Sequence, residues 1–301
     1  MPGVHSHAAE NFELRLEGVS CGFVKSVGGG DVSAEVIKEQ IGPSYFVKKH
    51  IGQPRYGEFT AQIGFGMAPP VYEWIAASWK ADYSRKDGAI VAADADLKAQ
   101  SERQFFHALV TEVTIPACDA SSKDPAYLTV KFAPEYLKTV KGKGKLGVPA
   151  GQQSLFLPSN FRLELDGLDC TQVTAIDAFT VTQSLVTDDI GDARDYAREP
   201  GKLEFPNLKV TVAETGAATW ESWFEDFVIK GHNDDAKEKR GAVVFLASDL
   251  KTELGRVKLV NVGIFALREP NRRAHDESLA AVTAELYCER MEFVGPRTKA
   301  P

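Results

Sequence analysis

The sequence is poor in the residues that build most active centres and membrane anchors. Its 301 residues include only four cysteines, three methionines and six histidines. Cys21, Cys118, Cys170 and Cys288 form no Cys-x-x-Cys pair and have no histidine at metal-ligand spacing, which removes the usual zinc and thiol-redox signatures. Four free, mostly buried thiols are expected, although spacing alone leaves a bridge open. No run approaches the roughly 18 apolar residues of a membrane-spanning helix, and MPGVHSHAAE at the start lacks an apolar signal core, so a cytoplasmic protein without membrane contact is expected. Basic charge is not in excess: 35 Lys and Arg stand against 42 Asp and Glu, a net charge of −7, where a nucleic-acid footprint would be basic. The first 150 residues hold 17 basic and 17 acidic residues and the remainder 18 and 25, so all the net charge lies in the second half. That asymmetry fits two electrostatically distinct neighbours in one assembly; random drift of surface charge gives the same numbers.

Catalytic motifs are equally scarce. There is no His-Glu-x-x-His, Gly-x-Ser-x-Gly or P-loop pattern. His5 and His7 fall in an expected disordered tail, His50 and His232 in loop-like sequence, His107 near a strand and His275 in a turn. Gly28, Gly29 and Gly30 are followed by no helix signal that would supply a phosphate-binding N-terminus, and Gly64-Phe65-Gly66 fails the dinucleotide fingerprint for the same reason. Asp188, Asp189, Asp192 and Asp195 lack the glycine and terminal glutamate of a calcium loop, and Asp94 with Asp96 brackets a single alanine; solvated loop carboxylates are expected. No catalytic, cofactor-binding or metal residue is assigned, no cofactor is expected, and the chain does not read as an enzyme.

What is present is an internal repeat. NFELRLEGVSC at 11–21 matches NFRLELDGLDC at 160–170, and GAIVAADADLKAQSER at 88–103 matches GAVVFLASDLKTELGR at 241–256, both without a gap and in the same order. With 44% hydrophobic and 26% charged residues over a length suited to two domains, this divides the chain into a tail at 1–10, a first domain at 11–137, a linker at 138–158, a second domain at 159–295 and a tail at 296–301. Alternation of Phe12, Leu14 and Leu16, and of Leu128, Val130 and Phe132, marks strands; the two Gly-Ala-x-Val runs read as buried strands. Each half has one amphipathic helix. Val71, Trp74, Ile75 and Trp79 share a face of the first, behind Pro69 and Pro70; Trp220, Trp223, Phe224, Phe227 and Val228 share a face of the second, with Thr219 as its expected cap. The fold class expected is mainly β with minor α. Long loops are expected after the second strand of each half, at 41–56 and 191–203, and their length points to function.

These blocks resemble a known family. FVKKHIGQPRYGEFTAQIG, the helix around Trp74, RKDGAIVAADAD and ALVTEVTIPACDASSKDPAYLTVKFAPEYL are similar to phage tail-like proteins related to the tail-tube family, and IDAFTVTQSL, GDARDYAREPGKLEFPNLKVTV, WFEDFVIKG and AELYCERMEF look like a diverged second copy. The resemblance implies two tandem tail-tube-like β-barrel or sandwich domains, each with a flanking helix. It also implies a structural role with no catalytic residue, in which strands join those of neighbours around a channel. Six single domains close a ring in that family, so a trimer of this chain would supply the six positions, with rings able to stack as a tube. The implied partners are the chain itself and sheath, baseplate or cargo proteins, in a particle assembled in the cytoplasm. The loops implied to contact the next ring carry Tyr45, Phe46, Lys48, Lys49, His50 and Arg55 in the first half. In the second they carry Asp192, Arg194, Asp195, Tyr196 and Arg198. The alternative reading is a non-polymerising, hub-like adaptor that presents the duplicated loops to a partner or cargo.

Overall fold

The alternating residues face inward, and their neighbours set the ladders. A computed structural model describes residues 11–43, 45–147, 155–188, 197–269 and 280–296. The first half contains β1 (Asn11–Leu16), β2 (Val19–Val24), β3 (Ser26–Gly29), β4 (Val32–Glu39), β5 (Lys48–Tyr56) and β6 (Phe59–Ile63). Helix α1 (Pro69–Trp79) follows, then β7 (Lys86–Ala93), β8 (Ala99–Ile115), β9 (Cys118–Asp119), β10 (Leu128–Ala133) and β11 (Tyr136–Lys141). The second half runs through β12 (Phe161–Leu165), β13 (Val173–Ile176), β14 (Phe179–Asp188), β15 (Ala197–Glu204) and β16 (Leu208–Ala213). Helix α2 (Ala218–Phe224) comes next, then β17 (Lys239–Leu246), β18 (Glu253–Arg268) and β19 (Ala281–Val294). The protein is thus mainly β with two helices, in two sheets and a separate β4–β5 hairpin.

The larger sheet has the order β2-β1-β7-β8-β10-β6-β3, with β11 and the β14–β15 hairpin also joined to β8. The smaller curls into a near-closed seven-stranded barrel, β12-β17-β18-β19-β16-β13-β9. The run β1-β7-β8-β10-β6-β3 recurs strand for strand as β12-β17-β18-β19-β16-β13. One difference has a simple cause: Pro134 interrupts β10 and β11, whereas Cys288 stands at the equivalent position and lets β19 run through.

Helix α1 behaves as its periodicity predicts, burying Val71, Trp74, Ile75 and Trp79. Helix α2 departs from expectation. It widens into a π-turn at Glu225–Ile229, which rotates the stripe so that Trp220, Trp223 and Phe227 are buried while Val228 is exposed. Thr219 does not cap the helix; its hydroxyl accepts a hydrogen bond from the Asp169 N–H. The helices do not simply flank their own halves either. On α1, Tyr72 and Trp79 pack their rings against Phe293 of β19, and Trp79 also meets Phe205. Phe65, Phe156 and Phe245 form a second aromatic bridge, so the main core is continuous through both halves. The segment at 138–158 is correspondingly more than a tether. Its start belongs to β11, paired with β8; Leu146 is buried, and Phe156 is buried in the shared core.

The four cysteines are free, with Cys21, Cys118 and Cys288 buried and Cys170 half-buried. Burial pushes the Cys118 thiol up to about 12 and those of Cys170 and Cys288 up to about 11. In a maleimide time course at pH 8, Cys170 is therefore expected to label first and Cys118 last, and all four to label rapidly in urea. Fast native labelling of Cys118 would contradict this packing.

Candidate assembly interface

The segments expected to be long loops are in large part strands. Lys48–Tyr56 is β5, paired with β4, and Ala197–Glu204 is β15, paired with β14. These stretches lack apolar alternation because each belongs to a projecting hairpin whose ladder, rather than a core, holds it extended. Tyr45 and Phe46 sit at the first hairpin's tip, 100% and 86% exposed, and Lys48, Lys49, His50 and Arg55 lie exposed along β5. Asp192, Arg194, Asp195 and Tyr196 lie outside the described residues. Arg198 is on β15.

The two hairpins occupy equivalent places in their halves. Thr182↔Glu204 in β14–β15 corresponds to Ser33↔Arg55 in β4–β5, each 149 residues apart. Their surroundings differ. The β14–β15 hairpin crosses to the first half, where β14 adds to the distal part of β8 in the register Phe179↔Ile115, Thr180↔Thr114, Val181↔Val113 and Thr182↔Glu112. The reverse crossing also occurs: β9, at the end of the β8 run, adds to β13 through Asp119↔Ala175 and Cys118↔Ile176. The halves are thus joined by reciprocal strand addition, which closes two sheet edges at once.

Packing and polar contacts both serve this junction. Phe179, Val181, Val113 and Ile115 are buried on one face, while the hydroxyls of Thr114 and Thr180 meet at 2.8 Å on the other. Farther along, the Arg198 N–H donates to a Glu135 carboxylate oxygen at 2.8 Å and its guanidinium donates to the Tyr56 carbonyl at 2.7 Å. Arg85 donates to Glu199 at 2.8 Å, and His107 holds the other oxygen of Glu135 at 3.0 Å. Of the residues expected on the loops, Arg198 therefore ties the two halves of one chain together. Phe179, Thr180 and Val181 lie in the IDAFTVTQSL block that resembles a tail-tube-type domain, but their partners on β8 are not legible in the sequence, since edge-to-edge pairing between distant segments leaves no local pattern.

By contrast β4–β5 forms a separate two-stranded sheet, with every residue of β4 exposed. Val32, the equivalent of Val181, is 58% exposed where Val181 is 2%. Val36, Ile41 and Ile51 add further exposed apolar surface. A lone hairpin with such a surface is marginal in water and invites a partner.

No protein-family model matches the chain, and no curated protein matches it. Solved structures similar to part of it include the sheath–tube complex of PVC, an extracellular contractile injection system, in its extended state. That match has 21% identity and a TM-score of 0.41, and covers 46% of this chain and 93% of that one. The tube-terminating cap of the anti-feeding prophage matches at 14% identity and a TM-score of 0.38 over 50% of this chain and 96% of that one. A chain of the same prophage's baseplate matches at 13% identity and a TM-score of 0.34, over 50% and 98%.

Proposed function

We propose that this chain is a structural component of a contractile-injection or phage tail-like particle. In this reading it assembles head to tail as a trimer, whose two-part subunits make a pseudo-hexameric ring able to stack into a tube. The observation that carries the reading is the junction between the halves, where a hairpin of one unit completes the sheet of the next. A contact of this kind is heterologous, so repeating it from chain to chain either closes a ring or propagates a filament. The sequence resemblance to tail-tube-type domains supports ring closure, and the neutral first half and acidic second half give the two kinds of neighbour different surfaces. Tyr45 and Phe46, at the exposed tip of the β4–β5 hairpin, are then placed to meet a stacked ring, a sheath or a baseplate protein. Assembly would take place in the cytoplasm.

Light scattering and negative-stain electron microscopy of the purified protein test this together. A particle of three times 32.9 kDa, seen as rings or tubes, is expected. A stable monomer at tens of micromolar would move the function to an adaptor that displays its hairpins without polymerising.

A further inference from the structure

The junction inside the chain defines what the two unused elements at its ends should do. The repeat is fixed residue by residue by features that do not depend on sequence likeness. Left-handed residues recur at His107 and Asn261, and at Leu97 and Leu250. The bulge between Val110 and Glu112 on β8 recurs between Ile264 and Ala266 on β18. Glu135 is held by His107, and Glu289 by Asn261 at the same two positions. These pairs place Glu112, Val113 and Thr114 of β8 in register with Ala266, Leu267 and Arg268 of β18, and the hairpin register places Val181 with Val32.

On β8 the distal part is covered by β14. On β18 the same stretch pairs with β19 on one side, and among the described residues no strand pairs with it on the other. Phe265 is 42% exposed there. The outer edge of β3, equivalent to the β13 edge that β9 covers, likewise has no strand partner among the described residues. Among the described residues, then, the chain carries a receiving edge with no strand partner at one end and, at the other, a hairpin that joins neither of the two larger sheets.

We infer that the β4–β5 hairpin of one copy adds to the open edge of β18 in a second copy, in the register Ser33↔Ala266, Val32↔Leu267 and Asp31↔Arg268. This rests on the ring-forming reading above and names its contact. The occupant is a second copy because the charges match. The Thr180–Thr114 hydroxyl pair of the internal junction becomes Asp31 against Arg268. The Arg85–Glu199 ion pair is exchanged for Glu238 against His50, acid and base having traded sides. Glu238 has one carboxylate oxygen buried without a hydrogen-bond partner, and an imidazole N–H would satisfy it. Lys49 takes the place of Arg198, whose cationic group reaches the Tyr56 carbonyl; the Phe205 carbonyl is the equivalent acceptor in the second copy. Opposite pairs across adjacent strands favour one register and suppress others.

The test is a cysteine pair, Val32→Cys with Leu267→Cys, in a Cys170→Ser background. Directly opposed residues have the Cα separation a disulfide needs, whereas a shift of two residues exceeds it. Mild oxidation is expected to give disulfide-linked dimers and trimers on a non-reducing gel, and the control pair Val32→Cys with Phe265→Cys to give none. Trimers or rings seen by scattering without the first link, or with equal linking in the control, would overturn the register and leave the ring reading standing. A monomer that scatters as a monomer and does not link would overturn both.

Discussion

Replacing Gly241 with valine is expected to cost at least about 3 kcal/mol or to prevent folding, because the space its side chain needs is filled by backbone. A Cβ built there falls 1.9 Å from the Glu164 carbonyl oxygen and 2.8 Å from the Leu165 side chain. Neither can retreat: Leu165 is buried, and β12 is held to β17 through Leu165↔Gly241 and four further pairs. Gly88, its repeat equivalent, meets the Arg15 carbonyl at 2.3 Å and the Phe105 ring at 2.4 Å, so Gly88→Val should be of similar severity. Gly28→Ala, with nothing within 4 Å of its Cβ, should change stability by less than about 0.5 kcal/mol. Urea unfolding followed by tryptophan fluorescence measures all three. Since the core is continuous through both halves, one transition is expected rather than two. A Gly241→Val protein whose stability lies within about 1 kcal/mol of the parent would mean that the β12–β17 approach is looser than described.

Those glycines show where sequence reasoning reached and where it stopped. The repeat that contains them was legible because strand residues with buried faces tolerate few substitutions, and the fold class followed from the alternation of Phe12, Leu14 and Leu16. Why each block begins with glycine was not legible, since the obstructing carbonyl lies on another strand. The ungapped match of 88–103 to 241–256 also misplaces its last residues. Ile90 pairs with Arg103, but its equivalent Val243 pairs with Val257 rather than with Arg256. One extra residue in the turn after β17 shifts the register, and a shift of one reverses which face a strand residue occupies. The hairpins look like loops in the sequence for a related reason: Gly52, Pro54 and the charges of β5 carry no core pattern, since β4 and β5 pair with each other outside both larger sheets. The candidate interface could be read as two duplicated segments, and its pairing rule only from the ladders.

The pairing rule makes a second large effect predictable. Arg268→Asp alone sets two carboxylates face to face across the junction, and Asp31→Arg alone sets two guanidinium groups there; each is expected to weaken the contact between copies by about 2 kcal/mol, roughly 30-fold, per junction. The fold itself does not require these charges, since the internal junction uses Thr114 and Thr180 at the same positions. Arg268 also bonds Glu285 within its own chain at 2.6 Å, so its replacement carries a small cost to the subunit. That intrachain cost and the loss between chains separate in the double variant Asp31→Arg with Arg268→Asp. Reversing both charges restores opposite signs across every junction but does nothing for Glu285. Assembly measured by sedimentation should therefore fall in each single variant and return in the double, while the melting temperature of the double, taken at a dilution where every variant is monomeric, stays at or below that of Arg268→Asp. Raising the salt should narrow the differences between variants, because part of each pair faces water. If the double variant assembles no better than either single one, Asp31 and Arg268 do not face each other, and the hairpin meets β18 in another register or not at all.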